Sequence, residues 1–378
     1  MFFLNLSKKY PKYIVFLYFS FTQDKSILPM LIYKEETMTK IKSLFISLVL
    51  TLGVSTAIAG SHGSTLDLVK ERGKLMCGSN TGLAGFGAPN DAGVWEGIDV
   101  DVCRAVAAAV FGDASKVEYV PVTTKVRFTV LQSGEVDLLS RNTTWTLSRD
   151  VDLGLEFVGV NYYDGQGFMV PAALGVSSAT ELDGASVCIQ VGTTTEMNLA
   201  DYFKANGMSY ESVPVETNAE ADAAYIAGRC DVYTTDASGL YSSRAGYADP
   251  SAHVVLPEII SKEPLGPAVR HGDHEWGDIV RWSLNAMIIG EELGITSDNV
   301  EEMKSSKNPE VLRLLGVEPG YGAYLGLDNE WAVNILSQVG NYSESFEKHI
   351  GPNTPINIQR GLNALYKDGG ILYAPPFR

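Results

Sequence analysis

From residue 75 onward the chain alternates short apolar runs with stretches of helical period, separated by glycine and polar clusters. Residues 67–73 predict a short helix closed by Gly73, and Leu75-Met76-Cys77-Gly78 predicts a strand. The alanine-rich 102–111 segment predicts a helix that is apolar on most of its surface. Residues 117–122 are β-branched and read as a strand, 126–133 as a second helix stopped by Gly134, and 136–139 as a further strand. Strand, helix, strand, helix, strand is the order of a parallel sheet with helices on its faces. Ligands of such sheets bind at the carboxyl ends of the strands. Two polar loops fall there: the glycine-rich 79–87, and 140–150, which reads Ser-Arg-Asn-Thr-Thr-Trp-Thr-Leu-Ser-Arg-Asp.

The pattern then repeats. Residues 165–170 begin a new extended segment, 186–191 read as a strand, and Gly192-Thr193-Thr194-Thr195 as a turn. A helix over 196–206 is closed by Gly207, and a strand over 210–215, a helix over 219–227 and a strand over 232–235 ending at Asp236 follow. Ser133-Gly134-Glu135-Val136-Asp137-Leu138 matches Ala227-Gly228-Arg229-Cys230-Asp231-Val232. Asn142 lies five residues beyond Asp137, and Asp236 five beyond Asp231, so two related lobes would carry polar groups at the same strand end. The fold class expected is α/β with two lobes, each a sheet flanked by helices. Residues 60–167 with 268–378 would form lobe 1, and 168–267 lobe 2, with 257–268 recrossing between them. Residues 278–293 predict a long helix with Ile279, Trp282, Leu284, Ala286, Ile289 and Leu293 on its apolar face, and 301–315 continues helical. The tail, 324–373, reads as further helix covering lobe 1.

The first 59 residues stand outside this pattern. Met38-Thr39-Lys40-Ile41-Lys42 is a basic start, 43–58 is mostly apolar, and Ala57-Ile58-Ala59 has the small-x-small form of a cleavage site. Together these form a secretory signal peptide over 38–59. Lys34-Glu35-Glu36-Thr37 would be encoded by purine-rich codons, as a ribosome-binding sequence is, so 1–37 is read as an upstream extension and Met38 as the true start. No cysteine stands at the first mature position to mark a lipoprotein, so a freely soluble periplasmic product is expected. Residues 1–59 hold 7 of the 29 basic and 3 of the 45 acidic residues, leaving 22 basic against 42 acidic, a net charge of −20. Such a surface repels nucleic acid and anionic membranes. Cys77, Cys103, Cys188 and Cys230 all lie in the exported part, which suggests two disulfides. Of three possible pairings, Cys77–Cys103 with Cys188–Cys230 keeps each bond within one lobe. None of the four has the spacing of a metal ligand, and His271-Gly272-Asp273-His274-Glu275 lacks the HExxH pattern and reads as a surface turn. No cofactor motif is present; the glycine-rich loop lacks the spacing and the lysine of a phosphate loop.

The 140–150 stretch carries the candidate chemistry. A helix start after it would offer unpaired N–H groups and a partial positive charge, and Arg149 one turn on would add a two-pronged donor for a carboxylate. A plainer reading is a helix cap with a surface arginine. In the second half, Thr193 and Thr194 precede a helix, where they would cap it or bind a carboxylate, and Asp236 would cap the next helix or accept an ammonium. A zwitterion needs donors at one end and a carboxylate at the other; Arg149, Thr144 and Thr194 supply the first and Asp236 the second.

Gly97-Ile98-Asp99-Val100-Asp101, residues 140–149, Gly192-Thr193-Thr194 and Gly228-Arg229-Cys230-Asp231-Val232-Tyr233-Thr234-Thr235-Asp236, in that order, resemble the polar-amino-acid periplasmic solute-binding proteins of ABC importers, family 3 of the bacterial extracellular solute-binding proteins. The general L-amino-acid-binding branch is the most similar, and the resemblance spans 64–378. It implies a type II binding protein whose two lobes, joined by two crossing strands, close on a free L-amino acid. It implies as partners an inner-membrane permease and its ATPase, no cofactor, and a monomer. By position it implies Arg149, Thr144 and Thr194 at the α-carboxylate, Asn142 and Asp236 at the ammonium, and Phe86 as the aromatic of the first loop. Thr193 joins this set, and Arg141 is placed either at the ligand's side chain or in a surface ion pair. Leu83 departs from the tyrosine of many relatives and Asn80 from the aspartate of some, which fits a broad range of L-amino acids, acidic and amide ones included. The competing function is an exported dehydratase on the same fold; it would need a general acid in the cleft, where the loops offer mainly neutral polar groups and Arg149. N-terminal sequencing of the exported protein should give a chain starting near Gly60; retention of Met38 would refute the leader.

Overall fold

The computed structural model describes residues 64–378 apart from Pro319 and, within 1–63, the strands β1 (Tyr13–Val15) and β2 (Ile32–Lys34), which pair antiparallel. The expected leader at 38–59 lies outside the described residues. The chain divides into a unit of Met1–His62 and a unit of Gly63–Arg378, and all that follows concerns the second.

Helix α1 (Thr65–Arg72) is capped by the Ser64 hydroxyl and closed by Gly73 in the left-handed conformation. After it come β3 (Leu75–Ser79), the short pair β4 (Ala88–Pro89) and β5 (Trp95–Glu96), α2 (Ile98–Phe111), β6 (Val117–Pro121), α3 (Arg127–Gln132), β7 (Leu138–Leu139) and β8 (Leu155–Phe157). The chain passes through β9 (Tyr162–Asp164) into β10 (Gln166–Pro171), β11 (Ala185–Gln190), α4 (Thr194–Ala205), β12 (Tyr210–Val215), α5 (Asn218–Ile226), β13 (Val232–Asp236), α6 (Ala237–Ala245) and β14 (His253–Val255). It returns through β15 (Glu263–Leu265) to β16 (Ala268–Arg270) and the long helix α7 (His274–Glu292).

These strands make two five-stranded sheets with matching plans, β6-β3-β7-β16-β8 and β12-β11-β13-β10-β14. In each, three parallel strands are joined by an antiparallel fourth, and the fifth pairs antiparallel with the fourth. The internal repeat seen in the sequence has a shared physical cause. Gly134 and Gly228 both turn through positive φ, 80° and 68°, as the chain leaves α3 and α5. Asp137 then accepts the Met76 N–H at 2.8 Å, and Asp231 accepts the Ser186 N–H at 3.0 Å, each pinning the entry of its strand to the central parallel neighbour. Apolar clusters fill both faces of each sheet. The disulfides Cys77–Cys103 and Cys188–Cys230, paired as expected, tie β3 to α2 and β11 to the start of β13.

The two sheets are linked by β9 and β15, which run antiparallel with Glu263 opposite Asp164. The connections touch at Gly266, where a Cβ would stand 2.0 Å from the Gly159 carbonyl oxygen, so no side chain fits at that crossing.

Some expectations require correction. The 301–315 stretch is two short helices, α8 (Val300–Met303) and α9 (Pro309–Leu314), because Asn308-Pro309 starts a new helix. The tail is helical only in α10 (Trp331–Gln338) and α11 (Tyr342–His349). Gly351-Pro352-Asn353-Thr354-Pro355 ends the helices, and the remainder runs as single turns and extended chain to Phe377, which packs on Trp282 and Trp331. His274 is not in a turn but opens α7, where Asp273 caps the helix. Among the described residues no helix is long and apolar enough to cross a membrane.

Each disulfide closes a loop of moderate length, its partners 26 and 42 positions apart in the chain. Replacing Cys188 and Cys230 together by alanine should lower the unfolding free energy by about 3–4 kcal/mol. Urea titration of the oxidised wild type and the double variant measures it, and a loss under about 1 kcal/mol would contradict the chain-entropy account.

Candidate functional site

The residues after β7 are placed by β15 rather than by a helix. Gly266 N–H donates to Thr143 O at 3.0 Å, Trp145 N–H donates to Pro264 O at 2.9 Å, and Thr144 forms a bridge with Leu265. Only 148–152 coils, as a single π-helical turn. The helix start expected after 140–150 is reduced to this turn, which runs into β8, and the main chain at 143–145 pairs with the linking strand instead. Asn142 stands at φ 30°, a conformation that asparagine tolerates better than most residues. Its N–H donates to Asp99 Oδ2 at 2.6 Å, and its side-chain oxygen accepts from Asn80 Nδ2 at 2.9 Å and Arg141 Nη1 at 3.3 Å.

A cavity of about 20 Å³ lies between the two sheets, room for about one water. From the first lobe Thr124, Arg127, Arg141, Asn142 and Thr144 line it; from the second come Gln190, Thr193, Thr194, Thr195, Thr235 and Asp236. Six of the eight residues expected at the site thus meet in one place: Arg141, Asn142, Thr144, Thr193, Thr194 and Asp236. Asn142 and Asp236, the repeat-related strand ends, are among them.

Two of the eight are not in the lining. Phe86 is fully buried in a core cluster, edge-on to Tyr162 at 5.3 Å. Arg149 is buried behind Thr144, donating from Nη1 to Thr144 O at 2.8 Å, with its guanidinium 5.1 Å from the centre of the Phe128 ring. Thr193 caps α4, accepting the Glu196 N–H at 3.1 Å and donating to Gln190 O at 2.7 Å. Asp236 stands at the start of α6, yet its carboxylate makes no capping bond there. Arg141 is buried, not on the surface, and its Nε donates to Val122 O at 3.0 Å.

The sequence pattern did not single out Glu263, which lies alone between Lys262 and Pro264 with no motif to mark it. It is 1% exposed. Its Oε2 accepts from Thr144 Oγ1 at 2.5 Å and from Thr194 Oγ1 at 2.9 Å, one hydroxyl from each lobe. Its Oε1 accepts from Asn198 Nδ2 at 2.8 Å and Ser261 Oγ at 2.7 Å. Arg127 and Gln190 were missed as well; an arginine opening an otherwise apolar helix was the one available signal.

The sequence model of the bacterial extracellular solute-binding proteins, family 3, matches residues 75–298. The chain is 59% identical over 330 residues to the glutamate/glutamine/aspartate/asparagine-binding protein BztA of Rhodobacter capsulatus, covering 87% of this chain and 98% of that one. It is 59% identical over 332 residues to the general L-amino acid-binding periplasmic protein AapJ of Rhizobium johnstonii, covering 87% and 96%. A solved ABC transporter/periplasmic binding protein from Brucella ovis with glutathione bound superposes with a TM-score of 0.82 at 58% identity, covering 84% of this chain and all of that one. These relatives are named as binding proteins, not as enzymes.

Burial sets the electrostatics. It pushes the Arg141 and Arg149 guanidiniums down to about 10, against the attraction of Asp99 and Asp236 on Arg141 and of Glu263 and Asp236 on Arg149, so both stay charged at neutral pH. Burial, with repulsion from Asp164 and Glu263, raises Asp236 well above the usual carboxylate range, although Asn142 and Arg127 oppose this. Asp99, which orients Asn142, is pushed by burial up to about 6 despite its bonds to Asn161 and Asn142. A raised carboxyl pKa means that the folded chain holds a proton which the unfolded chain has released. This group's contribution to stability therefore falls as pH rises from about 4 through 6, by about 3 kcal/mol in all, and is flat above. Asp99→Asn does not titrate, so the stability of wild type relative to the variant should drop by about that amount between pH 4 and 7 in urea titrations. A pH-independent difference would refute the shifted Asp99.

Proposed function

The chain belongs to the bacterial extracellular solute-binding proteins, family 3, and from that premise we propose that it captures L-amino acids by their α-ammonium and α-carboxylate and hands them to an ABC importer. The observation that supports this best is a cavity between the lobes with arginines on one wall and Asp236 on the other. Asp236 receives the ammonium: its carboxylate is not used as a helix cap, and an adjacent cation would restore the charge that burial disfavours. Arg149 receives the carboxylate, with Thr144 and Thr194 beside it. The hydroxyl protons of both threonines point to Glu263, so the guanidinium carries most of the attraction.

The ligands named for the relatives share this head group. Glutamate, glutamine, aspartate and asparagine all present it, as does the γ-glutamyl end of glutathione. A broad range of L-amino acids follows from a site that grips the part common to all of them.

The cavity is too small for an amino acid until the lobes part, and β9 with β15 is the place where they hinge. Closure is favoured only by contacts that the ligand makes with both lobes at once. The closed form would dock on a permease in the inner membrane, driven by ATP on the far side. Export through the 38–59 leader would deliver the chain to the periplasm, where such a receptor works.

Calorimetry of the mature chain with a panel of L-amino acids tests the reading. Arg149→Ala should weaken every ligand by about a hundredfold or more, because it removes the partner of a buried charge. Asp236→Asn should act in the same uniform way. Binding that survives the loss of Arg149 would overturn the clamp, and a wild type that binds no amino acid would overturn the function.

A further inference from the structure

The cavity has an excess of hydrogen-bond donors that the head-group clamp does not use. Arg127 and Gln190 line it from opposite lobes and are 2% and 4% exposed. Arg127 Nε and Gln190 Nε2 are both buried with no hydrogen-bond partner. The one hydrogen bond of the Arg127 side chain, from Nη1 to Thr143 Oγ1, is long at 3.4 Å. Arg141, by contrast, is anchored to Val122 O and Asn142 Oδ1. Thr124 Oγ1 donates to Val191 O at 2.9 Å, which draws the 124–127 and 190–191 segments together across the lobe boundary. A buried donor without an acceptor is destabilising, and a ligand that supplies the acceptor relieves it. Burial, and then repulsion from Arg149 and Arg141, hold the Arg127 guanidinium well below its usual range, and a neighbouring anion would reverse that.

We propose that Arg127 and Gln190, one from each lobe, read the ligand's side chain, and that they favour L-amino acids ending in a carboxylate or carboxamide. This rests on the capture function proposed above. A carboxylate accepts from the guanidinium and the amide together, and a carboxamide oxygen does so with less charge. An apolar side chain leaves both donors unpaired, which is how a polar pocket rejects an analogue lacking the matching group. Because the two readers sit on different lobes, a side chain that bonds both also favours closure.

The test is the mature chain titrated by calorimetry with L-glutamate, L-glutamine, L-alanine and L-leucine, using wild type, Arg127→Gln and Gln190→Glu. Wild type should bind glutamate and glutamine more tightly than alanine and leucine. In Arg127→Gln the preference for glutamate over alanine should fall about tenfold or more, the effect of losing a charged hydrogen bond. Gln190→Glu replaces the donor by an anion of similar shape, so it should lower the preference for glutamate more than that for glutamine. If Arg127→Gln does not fold, as judged by circular dichroism and melting, Gln190→Glu decides alone. Uniform weakening of all four ligands would assign Arg127 to the α-carboxylate and overturn the proposal. Unchanged preferences would overturn it while leaving the capture function standing. A wild type that binds none of the four would overturn both.

Discussion

Ionisable groups buried between two sheets set the terms for the rest of this molecule. Arg127, Arg141 and Arg149 are each 5% exposed or less, as are Asp99 and Glu263, and Asp236 is 6% exposed. Among the described residues none of the three arginines forms an ion pair within 4.0 Å. Charge withheld from water is tolerated only where dipoles or opposite charges replace the solvent. Here carbonyl oxygens, threonine hydroxyls and amides do much of that work: Val122 O holds Arg141, Thr144 O holds Arg149, and four donors surround Glu263. What these partners leave unsatisfied is the chemistry available to a ligand.

Glu263 shows how the hinge and the site are one construction. Thr144 is strapped along β15 by main-chain bonds, whereas Thr194 and Asn198 belong to α4 of the other lobe. Parting the lobes would separate Glu263 from Thr194 and Asn198 while leaving Thr144 in place. Each lobe is held on its own side by the repeated aspartate–strand contact and by one disulfide.

Helix α2 extends this support to the C-terminal segment. Asp99 on its first turn faces the site and fixes Asn142, and Asp101 one step on accepts from Ser345 at 2.8 Å and pairs with His349 at 2.8 Å. Arg360 pairs with Glu291 of α7 at 2.9 Å, and Phe377 closes the edge against Trp282 and Trp331. The segment beyond the family model's match thus braces the helix that positions a cavity residue.

The sequence by itself determined the main strands of both sheets, the repeat and the family. Period and punctuation are local properties, and so β3, β6, β7, β10, β11, β12 and β13 and the glycines that close α3 and α5 could be read directly. The repeat foretold that Asn142 and Asp236 would meet, because equal spacing from equivalent aspartates puts both at the same strand end. Only the tertiary structure decided which side chains remain free at the site. Thr193 turned out to be committed to a cap, Phe86 to the core, and the 143–145 backbone to β15. Glu263, Arg127 and Gln190 were missed for the same reason. They come from a linking strand, a helix start and a strand end far apart in the chain, and a partner's presence or absence is a fact of packing across the two lobes, which no local pattern records.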